Sequence, residues 1–120
     1  MKDDVFLSRR GDFLLTARRG KKITGGCWLL RFTPSRRTAA RIAVSVSKRF
    51  IRRAVRRNRL RRVIREEFRQ RWRADLPPMD MIVALAAPPE DETAARRECA
   101  EVLAAAVKMR GKMRSKMRKI

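Results

Sequence analysis

From Arg41 the chain alternates: Ile42, Val44 and Val46 are apolar, while Arg41, Ala43, Ser45 and Ser47 beside them are polar or small. Successive side chains of a strand point to opposite faces, so this spacing predicts a half-buried antiparallel strand, one side in a core and the other small, polar and open. A looser alternation of Trp28, Leu30 and Phe32 against Cys27, Leu29 and Arg31 predicts an earlier strand over 27–33, entered through Gly25 and Gly26, with Pro34 and Ser35 turning the chain. Met81 to Ala86 is continuously apolar, the pattern of a strand buried on both faces. Helical spacing appears first in Phe13, Leu14 and Ala17. With Ser8 as N-cap and Gly20 as the stop, it predicts a helix over 9–19. A last helix, capped by Asp91 or Thr93 behind the acidic turn EDET, buries Ala95, Cys99, Val102, Leu103 and Ala106.

Between these lies SKRFIRRAVRRNRLRRVIREEFRQRW. At about 100° per residue, Leu60, Val63, Ile64 and Phe68 form an apolar stripe. Asn58, Arg62, Arg65 and Arg69 line up nearly opposite, widened by Arg59 and Arg61, and Pro77 and Pro78 end the helical region. Charge makes this face unusual. The 120 residues carry a net charge of +21, divided as +8 over 1–47, +11 over 48–73, −5 over 74–107 and +7 over 108–120. The excess is therefore concentrated in the middle of the chain. So many guanidinium groups repel one another unless a polyanion lies against them, and their planar forks suit phosphate, so nucleic acid is the expected partner.

A hydrophobic fraction of 44% argues for a folded single domain and against a disordered polycation. No apolar run approaches the roughly 20 residues that span a bilayer. The start MKDDVFLSRR places two acids where a signal peptide has basic residues, so a cytoplasmic protein without a membrane role is expected. In that setting Cys27 and Cys99 are expected as reduced thiols. With no histidine, imidazole acid–base pairs and Cys–His zinc sites are excluded. Glu66 and Glu67 diverge on a helix, Glu90, Asp91 and Glu92 are explained by capping, and Asp12 and Asp80 are single, so neither a catalytic nor a metal-binding residue is expected in this chain. The aromatics Phe13, Trp28 and Phe32 are candidates for stacking on unpaired bases. The terminal repeat KMRG, KMRS, KMRK is assigned generic electrostatic affinity only.

At Arg57-Asn58-Arg59 the sequence resembles the protein subunit of bacterial ribonuclease P. The flanks SKR at 47–49, Ala54 and Val55, and LRRVIREEFR at 60–69 fit the same pattern, as do Asp12-Phe13 with Gly20, RIAVSVS, and LPPMDMIVALA from Leu76. The resemblance covers roughly residues 6 to 107, and the chain is divided into a domain over 1–107 and a basic tail over 108–120. It implies an α+β fold, a single-domain α/β sandwich in the order α-β-β-β-α-β-α. The four-stranded sheet includes a short strand near Lys21 to Thr24, and a left-handed crossover runs around the basic helix. In that family the RNA subunit holds the Mg²⁺ ions and cleaves the 5′ leader from precursor tRNA. Carried over, Lys48, Arg49, Arg52, Arg53, Arg57, Asn58, Arg59, Arg61, Arg62 and Arg65 contact the catalytic RNA. Phe13, Phe32, Ala43, Ser45 and Ser47 form the cleft for the leader. A second aromatic often found near Thr16 and Ala17 is missing here. No obligate protein partner is expected. The alternative is a ribosomal or chaperone-like RNA-binding protein; a helix-in-groove DNA binder fits poorly, because strands flank the basic helix.

Overall fold

A computed structural model describes residues 10–35 and 39–109. The elements run α1 (Arg10–Arg19), β1 (Lys21–Gly25), β2 (Trp28–Pro34), β3 (Arg41–Ser45), α2 (Ala54–Glu67), β4 (Met79–Leu85) and α3 (Glu92–Lys108). A π-helical turn over Phe68–Trp72 and a 3-10 turn over Arg73–Asp75 lead from α2 towards β4. The expected order is thus observed. Strand β1, implied only by the resemblance, has no readable alternation because it is an edge strand with Lys21, Lys22 and Thr24 all exposed.

The sheet order is β1-β2-β4-β3. β1 and β2 form an antiparallel hairpin whose turn is made by Gly26 at φ +56, a left-handed conformation that favours glycine. β2 pairs antiparallel with β4, but β3 pairs with β4 in parallel, which corrects the expected antiparallel strand. The reason is the connection. The chain leaves β3, crosses the sheet through α2 and returns as β4 in the same direction, as a helical crossover requires. Its alternation resembles an antiparallel strand because it is an edge strand, with Ile42 and Val44 buried and Ser45 exposed.

Register assigns the two faces. On one, Trp28, Leu30 and Phe32 of β2, Met81, Val83 and Leu85 of β4, and Ile42 and Val44 of β3 are buried together under α2 and α3. α2 contributes Leu60 and Ile64, followed by Phe68 of the π-helical turn. α3 contributes Ala94, Ala95, Cys99, Val102, Leu103 and Ala106, the expected stripe plus one alanine. Asp91 is the cap, its carboxylate accepting from the Ala94 amide at 2.7 Å. The Trp28 indole donates to the Ala95 carbonyl at 2.8 Å, fixing α3 over the hairpin.

The other face is covered in part by α1. Here Leu14 and Leu15 are 40% and 49% exposed, whereas Thr16 is buried, its hydroxyl 3.0 Å from that of Thr33 on β2. The expected apolar face of α1 is therefore rotated. Gly20 ends the helix where a Cβ would collide with the Thr16 carbonyl. Beside Thr33, Asp80 and Arg41 stand opposite each other across the parallel ladder and form a buried bidentate pair, Nε to Oδ1 and Nη2 to Oδ2 both at 2.9 Å. Arg41 had been expected on an open face; it is only 2% exposed, because Asp80 neutralises it there.

Cys27 and Cys99 are both buried and unbridged. Burial pushes both thiols up from their ordinary range, with the Glu98 carboxylate adding to the effect at Cys27. α3 runs through Lys108, so a domain boundary at 107 falls in its last turn. The Ser8 cap and the tail from Arg110 lie outside the described residues. Among the described residues, no helix is long and apolar enough to cross a membrane.

Asp80→Asn leaves the Arg41 guanidinium buried without its counter-charge and is expected to cost about 3–5 kcal/mol, read as a lower urea midpoint. Replacing both partners with apolar residues is expected to cost less than Asp80→Asn alone. The reverse order would show that the pair is not the source of the loss.

Candidate nucleic-acid interface

α2 begins at Arg53 with no side-chain cap and no acid in its first turn. Its buried line is Leu60 and Ile64, continued by Phe68. The remaining positions divide into two flanks. Arg59 and Glu67 look towards α3: Arg59 makes a bidentate pair with Glu92 at 3.0 and 2.7 Å, and Glu67 accepts from Arg96 at 2.8 Å. Asn58, Arg61, Arg62 and Arg65 lie on the other flank, as their helical spacing requires. α3 packs over β1 and β2 while α2 packs over β3, so this second flank is at the β3 edge of the molecule.

The expected RNA-contacting residues therefore fall into groups. Lys48, Arg49, Arg52, Arg53 and Arg62 are exposed. Arg61 is half-buried and donates to the Asn58 side-chain carbonyl. Arg65 is half-buried too, and burial, aided by the neighbouring Arg61 charge, lowers its pKa from the ordinary value, a combination that an anion at this flank relieves. Arg57 does something different. Its Nη1 donates to the carbonyls of Ile51 at 3.0 Å and Arg52 at 2.7 Å, holding the segment between β3 and α2. Arg59 is paired with Glu92 at the surface, both side chains remaining exposed.

The proposed leader cleft is changed more. Phe32 is 2% exposed and sits in the layer under α2 and α3, so it cannot offer a stacking surface; this corrects the expectation. Strand parity explains it, since Phe32 shares a face with Trp28 and Leu30 and not with Thr33. Ser47 lies beyond β3, its hydroxyl accepting from the Arg49 amide at 3.1 Å and its carbonyl from Phe50 and Ile51. It shapes the turn rather than the strand face. Phe13, Ala43 and Ser45 remain accessible, with Phe13 and Ala43 half-buried and Ser45 exposed.

Register adds residues that the sequence did not single out. One row across the open face is Lys22, Arg31, Ile82 and Ala43; the next is Thr24, Leu29, Ala84 and Ser45. Arg31, separated from Ala43 by Ile82, and Lys22 on the far β1 edge thus bring positive charge to the same open face. The signal in the sequence was the parity of each strand, but only the order β1-β2-β4-β3 places those residues in rows.

An arginine flank at the edge of a small-residue strand face matches the features by which the sequence resembled one family. A family model described as ribonuclease P matches residues 1–110. The chain belongs to the ribonuclease P protein family. It is 43% identical over 63 residues to the ribonuclease P protein component of Coxiella burnetii, covering 52% of this chain and 51% of that one. The chain spans 56% and 65% of the length of the relatives from Azoarcus and Legionella pneumophila. Among solved structures, the ribonuclease P protein of Thermotoga maritima aligns with a TM-score of 0.65 at 27% identity, covering 82% of this chain and 94% of that one. That of Staphylococcus aureus aligns at 0.71 and 21%, covering 89% and 95%, and shares the fold.

Within this member of the ribonuclease P protein family, Arg57 is expected to act on the loop before α2. Arg57→Ala removes two hydrogen bonds worth about 1 kcal/mol each. Hydrogen–deuterium exchange of the Phe50 and Ile51 amides should then quicken roughly tenfold or more, with Arg62→Ala leaving it unchanged. Equal protection in both variants would show that Arg57 does not hold this loop.

Proposed function

We propose that this chain is the protein subunit of a ribonuclease P ribonucleoprotein: it binds the catalytic RNA and the 5′ leader of precursor tRNA and promotes endonucleolytic removal of the leader. The observation that supports it best is a juxtaposition. The arginine flank of α2 and the open face of β3 meet at one edge of the molecule, so a folded RNA on the flank can deliver a single strand to the adjoining face. Arg62 and Arg65, with Lys48, Arg49, Arg52 and Arg53 at the start of the helix, neutralise phosphates of the catalytic RNA. The leader lies over Ala43 and Ser45, small enough to admit a backbone, with Phe13 of α1 and, across Ile82, the charge of Arg31 on the same open face. Single strands are held in this way, by positive charge along the backbone and stacking on aromatic faces.

Among the described residues, no group of carboxylates is arranged to hold a metal ion. Asp91 is a helix cap, Asp80 holds Arg41, and Glu66, Glu67 and Glu92 face Arg69, Arg96 and Arg59. In the proposed holoenzyme Mg²⁺ is held by RNA and substrate, and the protein acts by binding and charge neutralisation. A cytoplasmic setting accords with two buried, unbridged thiols.

Reconstitution with a bacterial ribonuclease P RNA at low Mg²⁺ tests this reading. Cleavage of precursor tRNA is expected to be stimulated, more strongly for a substrate with its leader than for one with a minimal leader. Arg62→Ala or Arg65→Ala is expected to weaken RNA binding and to lower the slope of log affinity against log salt by up to about one unit each. An absence of stimulation, together with unchanged slopes, would return the chain to a ribosomal or chaperone-like RNA-binding role.

A further inference from the structure

Besides the flank at the β3 edge, the structure contains a groove of about 600 Å³ on the opposite side of the start of α2, between the loop 50–53 and the residues that lead into α3. This volume is within the range of small-ligand sites, roughly 300–1,000 Å³. We infer that this groove seats one unpaired nucleotide of the RNA partner, with the base on its apolar floor and the flanking phosphates on the arginines at its mouth. The inference rests on the RNA-binding role proposed above and adds to it a specific contact remote from the leader face.

Four features carry it. The floor is apolar, formed by Phe50, Ile51, Leu60 and Pro89. Phe50 and Ile51 are half-buried and packed against the core, and the Arg49 guanidinium lies over the Phe50 ring at 5.8 Å, so a base that stacks on this ring takes the place of Arg49 or meets the part of the ring that faces the groove. One wall carries Arg52, Arg53 and Arg56, all exposed and none paired with a carboxylate among the described residues. The opposite wall carries Glu90, Asp91 and Glu92. This polarity orients the occupant: the acids repel phosphate, and Glu90, since Asp91 caps α3 and Glu92 is paired with Arg59, offers the acceptor to a base amino group, whereas the arginines take the backbone. A paired helix would present phosphates to both walls and is disfavoured. The groove is also preformed. Arg57 holds the Ile51 and Arg52 carbonyls at one side, and the Arg59–Glu92 pair bridges α2 to the first turn of α3, so little ordering is left for binding to supply.

The test uses the full chain and a bacterial ribonuclease P RNA. Phe50→Ala is expected to weaken binding about tenfold, from stacking worth roughly 1–3 kcal/mol per base, while leaving the salt slope unchanged. Phe50→Leu, which keeps the apolar volume, should fall between wild type and Phe50→Ala. Arg56→Ala should instead lower the slope by up to about one unit. Because Phe50→Ala could disturb the packing beneath the ring, a second measurement replaces Phe50 with the photoreactive p-benzoylphenylalanine and maps the RNA adduct by reverse transcription. An adduct confined to one nucleotide that chemical probing shows to be unpaired supports the inference. Adducts spread over paired RNA, or none in a complex that still forms, overturn it. If the Arg62→Ala and Arg65→Ala slopes have fallen as expected, that result removes the groove and leaves the RNA-binding role; if they have not, the role itself fails.

Discussion

Everything in this fold is arranged around the insertion of β4 between β2 and β3. Met79–Leu85 pairs antiparallel on one side and parallel on the other, and six of its seven residues are buried. A strand placed there last in the sheet forces the chain to leave β3, cross through α2 and return, which determines where the basic helix lies. It also places Asp80 opposite Arg41, so that the charge at the start of the edge strand is neutralised within the sheet. Without β4, β3 would have no neighbour and α2 no sheet edge to follow.

The same arrangement sorts the charge. The −5 segment that includes β4 and α3 does not merely dilute the total of +21. Its carboxylates are spent at particular places: Asp80 on Arg41, Asp91 on a helix end, Glu92 and the nearby Arg59 across two helices, Glu98 on the Cys27 amide. Asp80 apart, these acids lie on the α3 side of α2, and the opposite flank carries Arg61, Arg62 and Arg65. Exposed pairs such as Arg59–Glu92 add little stability, in the range of 0–1 kcal/mol. Their larger effect is positional, because they determine which guanidinium groups are held and which face solvent. Among the described residues, the flank of α2 that faces away from α3 is accordingly rich in arginine.

Several assignments were legible from residue spacing. The stripe Ala95, Cys99, Val102, Leu103, Ala106 and a cap at Asp91 or Thr93 needed only the helical period and the chemistry of a helix end, and the structure selects Asp91. The buried side of β3 and the doubly buried β4 followed from parity and from an unbroken apolar run. Phe32 shows the limit of such reasoning. Its strand was recognised and its alternation read correctly, yet which of the two faces carries the cleft depends on where α1 docks. Ser47 continued the alternation of β3 by one step too many, because the turn that opens α2 captures its hydroxyl. Arg57 was assigned to RNA by its place in the motif, while its hydrogen bonds to two loop carbonyls depend on a turn that periodicity does not describe.

The sequence alone determined the types and order of the elements other than β1, the buried stripe of α3 and, Val63 apart, that of α2, the concentration of positive charge in the middle of the chain and the resemblance to its family. These are local properties, set by side-chain spacing along one segment at a time. The tertiary structure decided the parallel pairing of β3, the burial of Arg41 against Asp80, the withdrawal of Phe32 into the core, the alignment of Lys22 and Arg31 with Ala43 and Ser45, and the groove between Phe50 and Pro89. Each of these depends on two segments far apart in the chain meeting in one register. Such pairings are chosen by the global packing of the sheet and its helices, and no window of sequence contains both partners.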